Sequence, residues 1–469
     1  MLSTMANRKR MLTIGAIPAS LLLLGIASWG IGRVLPEPSL PAPQVVHARP
    51  ETLNYACPAG IVDPFHLDGG VSAASVWNSA GEGETSGEWT ILRADTSAHT
   101  LPTTLGVMGQ GGGELRGLSM TSCQLPSNDQ WSVLGSSTSG EDLVVTFANP
   151  NSSPSVVTLE GYGANGPIDA KPHQMTIPAR STQSVLAGGL FPEESALAVH
   201  IHADGQGVAT WVQSSAMQGE VPKGVTSVSG TMPREDQLFL GLSKQGTSSL
   251  RLLVPPLGTG DEADTHVALS YTSDAGTFNV PGGELDVSAG TVVDVPLNGI
   301  TDERYTLRVH ADRPLVAQVV TNTEQEEYPG GQHWGMRAGM SSAQGLVHAQ
   351  LPSASTVETL VRSRLSSTIL RGTAQESGSG VNEISSHLLL TSVHSQSGVQ
   401  LQLGNEQVTL EAGKMAMLDL PSQETNLESP SDVAIAIEVE AKTPGGVLRA
   451  VWPLSADDVE QASTSITVH

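Results

Sequence analysis

A long internal repeat constrains the fold of this chain more than any other feature. The segment 199–204 (Val-His-Ile-His-Ala-Asp) aligns without a gap with 307–312 (Leu-Arg-Val-His-Ala-Asp), and the match at an offset of 108 residues continues from 208–209 to 316–317. The segment 435–441 provides a looser third copy. A repeat of about 110 residues is too long for a solenoid turn or a propeller blade and has the size of one immunoglobulin-like β-sandwich.

Alternation of apolar and polar residues indicates the local structure of these segments. Val199 and Ile201 alternate with His200 and His202, and the same period of two residues runs through the other two copies. Strict alternation is typical of a strand with one face buried and one face in water. No segment beyond the N-terminus shows a convincing helical period, so we predict an all-β fold of tandem immunoglobulin-like β-sandwich repeats.

Two shorter motifs recur in each repeat and mark the limits of the repeats. One precedes each matched segment, at 177–179, 287–290 and 410–413, and the other opens each unit, at 124–126, 231–233 and 350–352. We therefore expect a partial or capping β module and three sandwich repeats, at residues 51–122, 123–229, 230–347 and 348–469. The stretches 322–345 and 371–385 are rich in Gly, Ser and Glu and predict long loops.

An uncharged apolar segment precedes the repeats. Residues 11–32 contain no charged side chain and follow a basic tail, residues 1–10, which ends in Arg8, Lys9 and Arg10. A helix of that length rises about 33 Å, which exceeds the hydrocarbon thickness of about 30 Å. We predict a transmembrane helix with a cytoplasmic N-terminus and an extracytoplasmic body, that is, a single-pass protein of the cell membrane. Cleavage of the segment as a signal peptide is the alternative.

The charge distribution follows this division. The whole chain has a net charge of −24, while the part after residue 33 carries 19 basic and 47 acidic side chains, a net charge of −28. Residues 33–50 contain five prolines and predict a semi-rigid spacer. The acidic body lacks the clustered basic surface that nucleic acids require, and anionic headgroups repel it. We therefore expect attachment to the membrane through the N-terminal helix and no nucleic-acid partner.

The two cysteines of the chain, Cys57 and Cys123, both lie in the exported part. Disulfides persist outside the cytoplasm, and an even count with no competing thiol favours one bridge between these residues. Two buried free thiols are the alternative. A metal site has little support, because no CxxC spacing is present.

Motifs that resemble catalytic or ligand sites have simpler explanations. His200 and His202 project from one face of a strand, as a metal pair would, but the aligned second copy keeps only one of the two histidines. Residues 161–166 match GxGxxG, yet Pro167 follows where a dinucleotide site needs a helix, so we expect a glycine-rich hairpin. No GxSxG, SxxK or HExxH motif occurs. We predict no catalytic residue, no metal and no cofactor.

The tryptophans are the remaining candidates for contacts with a ligand. Trp131, Trp211 and Trp452 fall within strand patterns, and we expect them in the core. Trp334 follows the Pro- and Gly-containing stretch 329–333 and is the best candidate for an exposed ring. Because exposed aromatic rings stack on sugars or anchor protein interfaces, Trp334 is a candidate contact for a glycan or a protein.

Several short motifs occur in a recognisable order along the chain. They are Cys57-Pro58, Phe147-Ala148-Asn149-Pro150, the stretch 161–166, Ile177-Pro178-Ala179, and Gly-Glu-Val-Pro-Lys-Gly at 219–224. Together with the basic tail and single span, this order resembles an uncharacterised actinobacterial family of single-pass, membrane-anchored extracytoplasmic β proteins. The resemblance implies a gene position near a large membrane glycosyltransferase and a role in envelope polysaccharide assembly. The second copy departs from the pattern, with Val254-Pro255-Pro256 in place of the Asn-Pro turn.

These features favour a non-catalytic accessory or scaffold protein of the cell envelope, which assists a membrane glycosyltransferase or polysaccharide assembly. Its expected partners are that enzyme or another envelope protein, and cell-wall glycan. A carbohydrate-binding, adhesin-like surface protein is the first alternative. An extracellular hydrolase, with a triad or a carboxylate pair assembled from scattered residues, is the second.

Overall fold

The computed structural model of the chain describes residues 44–48, 52–67, 71–79, 84–86, 89–95, 102–168, 171–219, 221–258, 263–325, 334–340, 348–366, 381–392, 398–430, 432–444, 446–454 and 464–468. Within these residues the chain is almost entirely β, with a single α-helix, which confirms the predicted all-β class. The basic tail, the predicted transmembrane segment 11–32 and the first part of the spacer lie outside the described residues. Across the described part, no helix combines the length and apolarity needed to cross a bilayer.

The N-terminal module, residues 52–121, contains two small antiparallel sheets and a hairpin. One sheet has the order β2-β7-β6 and the other β5-β8-β9, while β3 pairs with β4. Inward-facing residues of β2 and β7, such as Tyr55 and Leu92, form its core together with the two cysteines. The strands are β2 (Thr52–Ala56), β3 (Gly60–Val62), β4 (Val71–Ala73), β5 (Ser75–Asn78), β6 (Glu84–Ser86), β7 (Trp89–Asp95), β8 (Thr104–Gln110) and β9 (Gly117–Thr121).

The first repeat, residues 129–229, is a two-layer sandwich. Its strands are β10 (Asp129–Ser132), β11 (Glu141–Asn149), β12 (Ser155–Gly163), β13 (Gly166–Pro167), β14 (His173–Ile177), β15 (Ser181–Leu186), β16 (Ala198–Ala203), β17 (Ala209–Gln218) and β18 (Val221–Ser229). One sheet has the order β10-β16-β12, with β13 and β14 beside β12, and the other has the order β15-β11-β17-β18. Alternate residues such as Val199 and Ile201 point between the layers, as the period of two predicts.

The second repeat, residues 234–340, has the same strand order with fewer and longer strands. Its strands are β19 (Arg234–Ser243), β20 (Thr247–Leu253), β21 (Thr265–Thr272), β22 (Thr277–Val287), β23 (Val292–Pro296), β24 (Arg304–Gln325) and β25 (Trp334–Met340). The long strand β24 takes the places of both β16 and β17: its first half pairs with β19 and β21, and its second half pairs with β20 and β25. It therefore passes from one sheet of the sandwich to the other without a turn.

The third repeat, residues 348–454, adds a helix to the sandwich. Its elements are β26 (His348–Leu351), α1 (Ala354–Leu365), β27 (Glu383–Ser392), β28 (Val399–Leu403), β29 (Glu406–Leu410), β30 (Met415–Asp419), β31 (Thr425–Glu428), β32 (Val433–Thr443) and β33 (Gly446–Leu454). The sheets have the orders β26-β31-β28-β29 and β30-β27-β32-β33.

The helix α1 contradicts the expectation that no helix follows the N-terminal segment. The Ser353 side chain accepts a hydrogen bond from the Thr356 N–H and caps its first turn. Val357, Val361 and Leu365 lie four residues apart, so they share one face, and all three are buried. This face packs on strand β8 of the N-terminal module as well as on its own repeat.

Two further expectations need correction. Strand β32 contains the segment 435–441 but lies between β27 and β33, as β17 lies between β11 and β18. The counterpart of β16 is therefore β31, and the predicted third copy of the segment lies one strand too far along the chain. Parts of the two predicted long loops are strands, because 322–325 belong to β24, 334–340 form β25 and 383–385 begin β27.

The N-terminal module follows the topology of the repeats in reduced form. Its sheet β2-β7-β6 corresponds to β10-β16-β12, and its sheet β5-β8-β9 corresponds to β11-β17-β18, with the strands in the same chain order. Among its described residues, no strand corresponds to β14 or β15. In its described residues it is thus a smaller sandwich with three strands in each layer.

Each module packs on the next, and the third repeat packs on the N-terminal module. Trp211 of the first repeat lies in a buried cluster with β7 of the N-terminal module, and Trp131 of the first repeat packs with Val316 of the second. Ala434 of the third repeat joins the core of the second repeat, and Leu105 of β8 joins the core of the third. The four modules therefore form a closed cycle of contacts.

The last strands of the four modules contact one another. Strand β9 contacts β18 and β33, and β25 also contacts both β18 and β33. The Val225 N–H of β18 donates to the Arg116 carbonyl oxygen, at 2.9 Å. A Cβ atom on Gly117 would lie 2.1 Å from the Val225 carbonyl oxygen, so only glycine allows this approach. The contacts cover sheet edges that could otherwise pair with another chain.

Two strands near the chain ends form a separate small unit. Strands β1 (Gln44–Ala48) and β34 (Thr464–Val468) pair antiparallel, with Gln44 opposite Val468. Five residues of the predicted proline-rich spacer are therefore part of a two-stranded sheet.

Candidate functional site

The predicted disulfide is present. Cys57 follows β2 and Cys123 follows β9, and their Sγ atoms are 2.01 Å apart. Both side chains are fully buried in the core of the N-terminal module. The bond joins the ends of the first and last strands of this module across a separation of 66 residues. The alternative of two buried free thiols is therefore wrong.

The histidine pair of the first repeat lies on the outer face of the sandwich, where its partners are carboxylates and an aromatic ring. His200 Nδ1 is 3.2 Å from Glu160 Oε2, and Nε2 is 3.2 Å from Asp129 Oδ1. The imidazole stacks on Trp131, with ring centroids 4.0 Å apart. His202 contacts Asp204 instead. Within the described residues, no group of three or more His, Cys, Asp or Glu side chains is arranged to hold a metal.

The equivalent face of the second repeat carries Arg308 in the place of His200. Arg308 donates from Nε and Nη2 to Asp236 Oδ1, at 3.0 and 2.7 Å, and His310 Nδ1 lies 3.2 Å from the same oxygen. Burial opposes the ionisation of Asp236, but the hydrogen bond and charge of Arg308, with help from His310, lower the pKa of this carboxyl below its ordinary value. Asp236 therefore holds both side chains in place.

A cleft of about 570 Å³ opens beside Arg308 and His310. It exists because the pairing of β21 with β22 shifts: Ala268 is opposite Glu284, but Ser270 is opposite Asn279. Residues 280–283 of β22 bulge out of the ladder between these two pairs. Residues of β21 and β24 line its floor, and residues 279, 280 and 282–284 of β22 line the other side. Bulges are frequent next to functional sites because they redirect side chains.

Buried polar side chains join neighbouring modules. The Gln213 side chain exchanges two hydrogen bonds with the backbone of Val62, at 2.8 and 2.7 Å, across the boundary between the N-terminal module and the first repeat. Gln318 Oε1 accepts from the Ser132 hydroxyl and the Val133 N–H, both at 3.0 Å, between the first and second repeats. Both glutamines are buried, so each bond forms in a medium of low polarity.

An arginine reinforces the boundary between the first and second repeats. Arg251 binds Asp294 through Nε and Nη2, at 2.6 and 2.8 Å. The same guanidinium donates to the carbonyl oxygens of Ser195, at 3.2 Å, and Gly135. One side chain of the second repeat thus reaches two loops of the first.

A charged cluster joins the second and third repeats. Glu438 is fully buried, and its carboxylate accepts two hydrogen bonds of 2.5 Å from Arg304 Nη1 and a further bond from Arg449. Glu440 contacts both arginines as well, and Arg449 Nη1 donates to the Ser243 hydroxyl at 2.9 Å. Burial and the neighbouring Arg304 lower the pKa of Arg449 to about 9, so its guanidinium remains charged at neutral pH.

The other predicted residues have clear positions. Residues 161–166 form the hairpin from β12 to β13, with Gly163 opposite Gly166, which confirms the predicted glycine-rich hairpin. Trp131, Trp211 and Trp452 are buried, as expected. Trp334 was expected in a loop, but it is the first residue of strand β25 and pairs with Gln325. Its side chain lies outside the described part, so its role as a glycan or protein contact stays a prediction.

The cleft and the charged cluster were not predicted from the sequence. Asp236, Ser270 and Arg308 lie on three different strands, so their spacing carries no motif. A weak signal existed in Val280-Pro281-Gly282-Gly283, which interrupts an alternating strand and indicates a bulge. Glu438 also carried a signal, since it is a carboxylate directly after an apolar run in β32.

Comparisons with known proteins give one match. No curated protein and no solved structure matches the chain. One family model matches residues 80–381, which include most of the N-terminal module, the first two repeats and helix α1. Since this match covers more than half of the 469 residues, the chain belongs to the Family of unknown function (DUF5719).

Proposed function

We propose that the protein is a non-catalytic accessory or scaffold protein of the cell envelope, held by one N-terminal span, which assists a membrane glycosyltransferase or polysaccharide assembly. The observation that carries the proposal is the closed cycle of modules, fixed by polar contacts at three boundaries through Gln213, Gln318 and Glu438. A body of this kind keeps its surface loops at set distances from one another. Fixed presentation of loops by a rigid frame is what a scaffold requires.

Compartment arguments support the same proposal. The body contains a buried disulfide, and such bonds persist in oxidising compartments. The uncharged segment 11–32 has the length of a membrane span, and basic residues precede it. The net charge of −28 after residue 33 favours a body that stays off anionic headgroups.

Co-purification tests the scaffold role. The full chain is extracted from its native membranes in a mild detergent and captured through a C-terminal tag. We expect a membrane enzyme of polysaccharide synthesis to be recovered with it in a fixed ratio. Recovery of no membrane enzyme would contradict the proposal.

A matched control separates the body from the anchor. Residues 1–50 are fused to an unrelated soluble domain, expressed at the same level and captured in the same way. The enzyme should be absent from this fusion, because the proposed contact is made by the folded modules. If the fusion recovers the enzyme as well as the full chain does, the β modules are not the scaffold.

A further inference from the structure

The cleft of the second repeat lies on a sheet face that the other repeats share. In the first repeat, β14 pairs with β12 from Ser155 to Leu159 and β13 pairs with it at Tyr162 and Gly163, so the pairing beside β12 is interrupted between Pro167 and His173. In the third, β29 pairs with β28 in regular register from Val399 to Leu403. The pairing of β21 with β22 is interrupted, as the pairing beside β12 is, and the bulge 280–283 carries Gly282 at a φ of 70°. The sandwich fold does not need this bulge, because the third repeat forms without it.

The polar lining of the cleft combines donors and acceptors. Arg308 uses Nε and Nη2 on Asp236, so its Nη1 group, which bonds to no described residue, is available to a ligand. Ser270 and Asn279 offer a hydroxyl and an amide, each able to donate and to accept. Glu284 accepts at the rim, where it is exposed.

The charge of the lining restricts the class of ligand. Asp236 neutralises Arg308, which leaves the negative charge of Glu284 in the cleft. An anionic ligand would meet this carboxylate and the negative body of the protein, while a simple cation would leave the donors of Arg308, Ser270 and Asn279 unused. Vicinal hydroxyl groups of a neutral sugar donate and accept together, so they match such a lining.

We propose that the bulged outer face of the second repeat is a binding site for a neutral saccharide. Asp236 positions the Arg308 guanidinium at the floor, and Ser270, Asn279 and Glu284 complete the hydrogen-bonding shell. The cleft volume of about 570 Å³ falls in the range of about 300–1,000 Å³ that small-molecule sites occupy. This assignment does not rest on the scaffold role, since the site is complete within one repeat.

Saturation-transfer NMR on the full chain tests the site, in a detergent whose headgroup is not a sugar. The probes are the methyl glycosides of mannose, galactose and glucose, with glucuronate as the anionic comparison. We expect at least one neutral glycoside to bind. Glucuronate should bind the protein at least about fivefold more weakly than that glycoside, because Glu284 repels its carboxylate. Saturation of none of the neutral probes, or tighter binding of glucuronate, would overturn the assignment.

Two equivalent positions provide matched variants. Ala268 on β21 and Thr158 on β12 both lie on the outer face, opposite His310 and His202 respectively, but only Ala268 lines the cleft. Ala268→Tyr should abolish binding, because the ring fills the cleft, whereas Thr158→Tyr should leave it unchanged.

A smaller change guards against misfolding of the first variant. Asn279→Ala removes one hydrogen-bonding group at an exposed position and should weaken binding about three- to tenfold, with an unchanged melting temperature. The site is refuted if Ala268→Tyr and Asn279→Ala both bind the saccharide as the wild type does. It is also refuted if Thr158→Tyr loses as much binding as Ala268→Tyr.

Discussion

Replacing Glu438 by glutamine tests whether buried charges hold the second and third repeats together. The carboxylate has no solvent exposure, while its partners Arg449 and Arg304 are 17 % and 25 % exposed. Glutamine keeps the shape of the side chain but removes its charge. Two guanidinium groups at the boundary are then left with Glu440, which is 34 % exposed, as their remaining carboxylate.

The expected loss is large because the charges are desolvated. Removing one partner of a buried ion pair costs about 3–5 kcal/mol, since the other charge stays buried without compensation. Glu440 still offsets part of the charge, so we expect the lower end, about 3 kcal/mol. At an unfolding entropy of about 2 cal/mol/K per residue, this lowers Tm by about 13 °C if the third repeat unfolds alone, and by about 3–4 °C if residues 50–462 unfold together.

Differential scanning calorimetry of the full chain measures the shift, and Glu440→Gln is the matched control. Glu440 lies two residues along the same strand and contacts the same arginines, but it is partly exposed, so its loss should cost less than about 1 kcal/mol. A double-mutant cycle of Glu438→Gln with Arg304→Gln should show coupling, because the two groups bond directly. Equal shifts for Glu438→Gln and Glu440→Gln, or additive effects in the cycle, would refute the reasoning.

Three further outcomes follow from single sites. Arg180 has a φ of 51° in the turn between β14 and β15, where the other repeats have glycine. Arg180→Gly should therefore raise the free energy of unfolding by about 0.5–1 kcal/mol, measured by urea titration. A lower free energy of unfolding would contradict this prediction. Because the pKa of Asp236 is lowered, its pairing with Arg308 contributes stability above the unfolded pKa of about 4, and this contribution is lost as pH falls through the folded pKa. Asp236→Asn should therefore flatten the acid side of the Tm–pH profile. A profile identical to that of the wild type would contradict this prediction. Replacing Cys57 and Cys123 by serine should destabilise by about 4 kcal/mol and make Tm insensitive to reductant, whereas a Tm that still falls on reduction would contradict the assignment of the bridge.

The period of two residues was sufficient to predict the fold class. It is a direct property of strands, and in Val199 to Ala203 and Leu307 to Ala311 the apolar positions do face the cores of their repeats. The gapless alignment fails farther on. Val208 faces its own core and Ala209 faces the N-terminal module, but Val316 faces the first repeat and Ala317 its own core.

The slip by one residue has a structural cause. The first repeat makes a turn between β16 and β17, whereas β24 continues through the same region as one strand. One residue fewer is needed where the turn is absent, so the offset of 108 holds before this point and 107 after it. Because side chains in a strand alternate between faces, such a slip exchanges the core and interface roles of every later residue.

The prediction that 435–441 is the third copy of 199–204 is wrong because β32 is buried on both faces. Ile435 and Ile437 face its own core, while Ala434 and Ala436 face the second repeat. An apolar run of this kind carries no information about which strand of the sandwich it is. Helix α1 is not predicted from the sequence because its apolar face is narrow, with Val357, Val361 and Leu365 as its fully buried residues. In addition, the surface on β8 that this face contacts is about 250 residues away in the chain.

The closed cycle of contacts limits how this chain can change length during evolution. A solenoid can gain or lose a unit at either end, because each unit touches only its neighbours. Here the N-terminal module packs against both the first and the third repeat, so a duplicated or deleted repeat would separate surfaces that are now buried together. The number of modules is therefore fixed by geometry, and variation is confined to the loops and to insertions such as α1. Relatives with the same fold should keep four modules even where their loops differ in length.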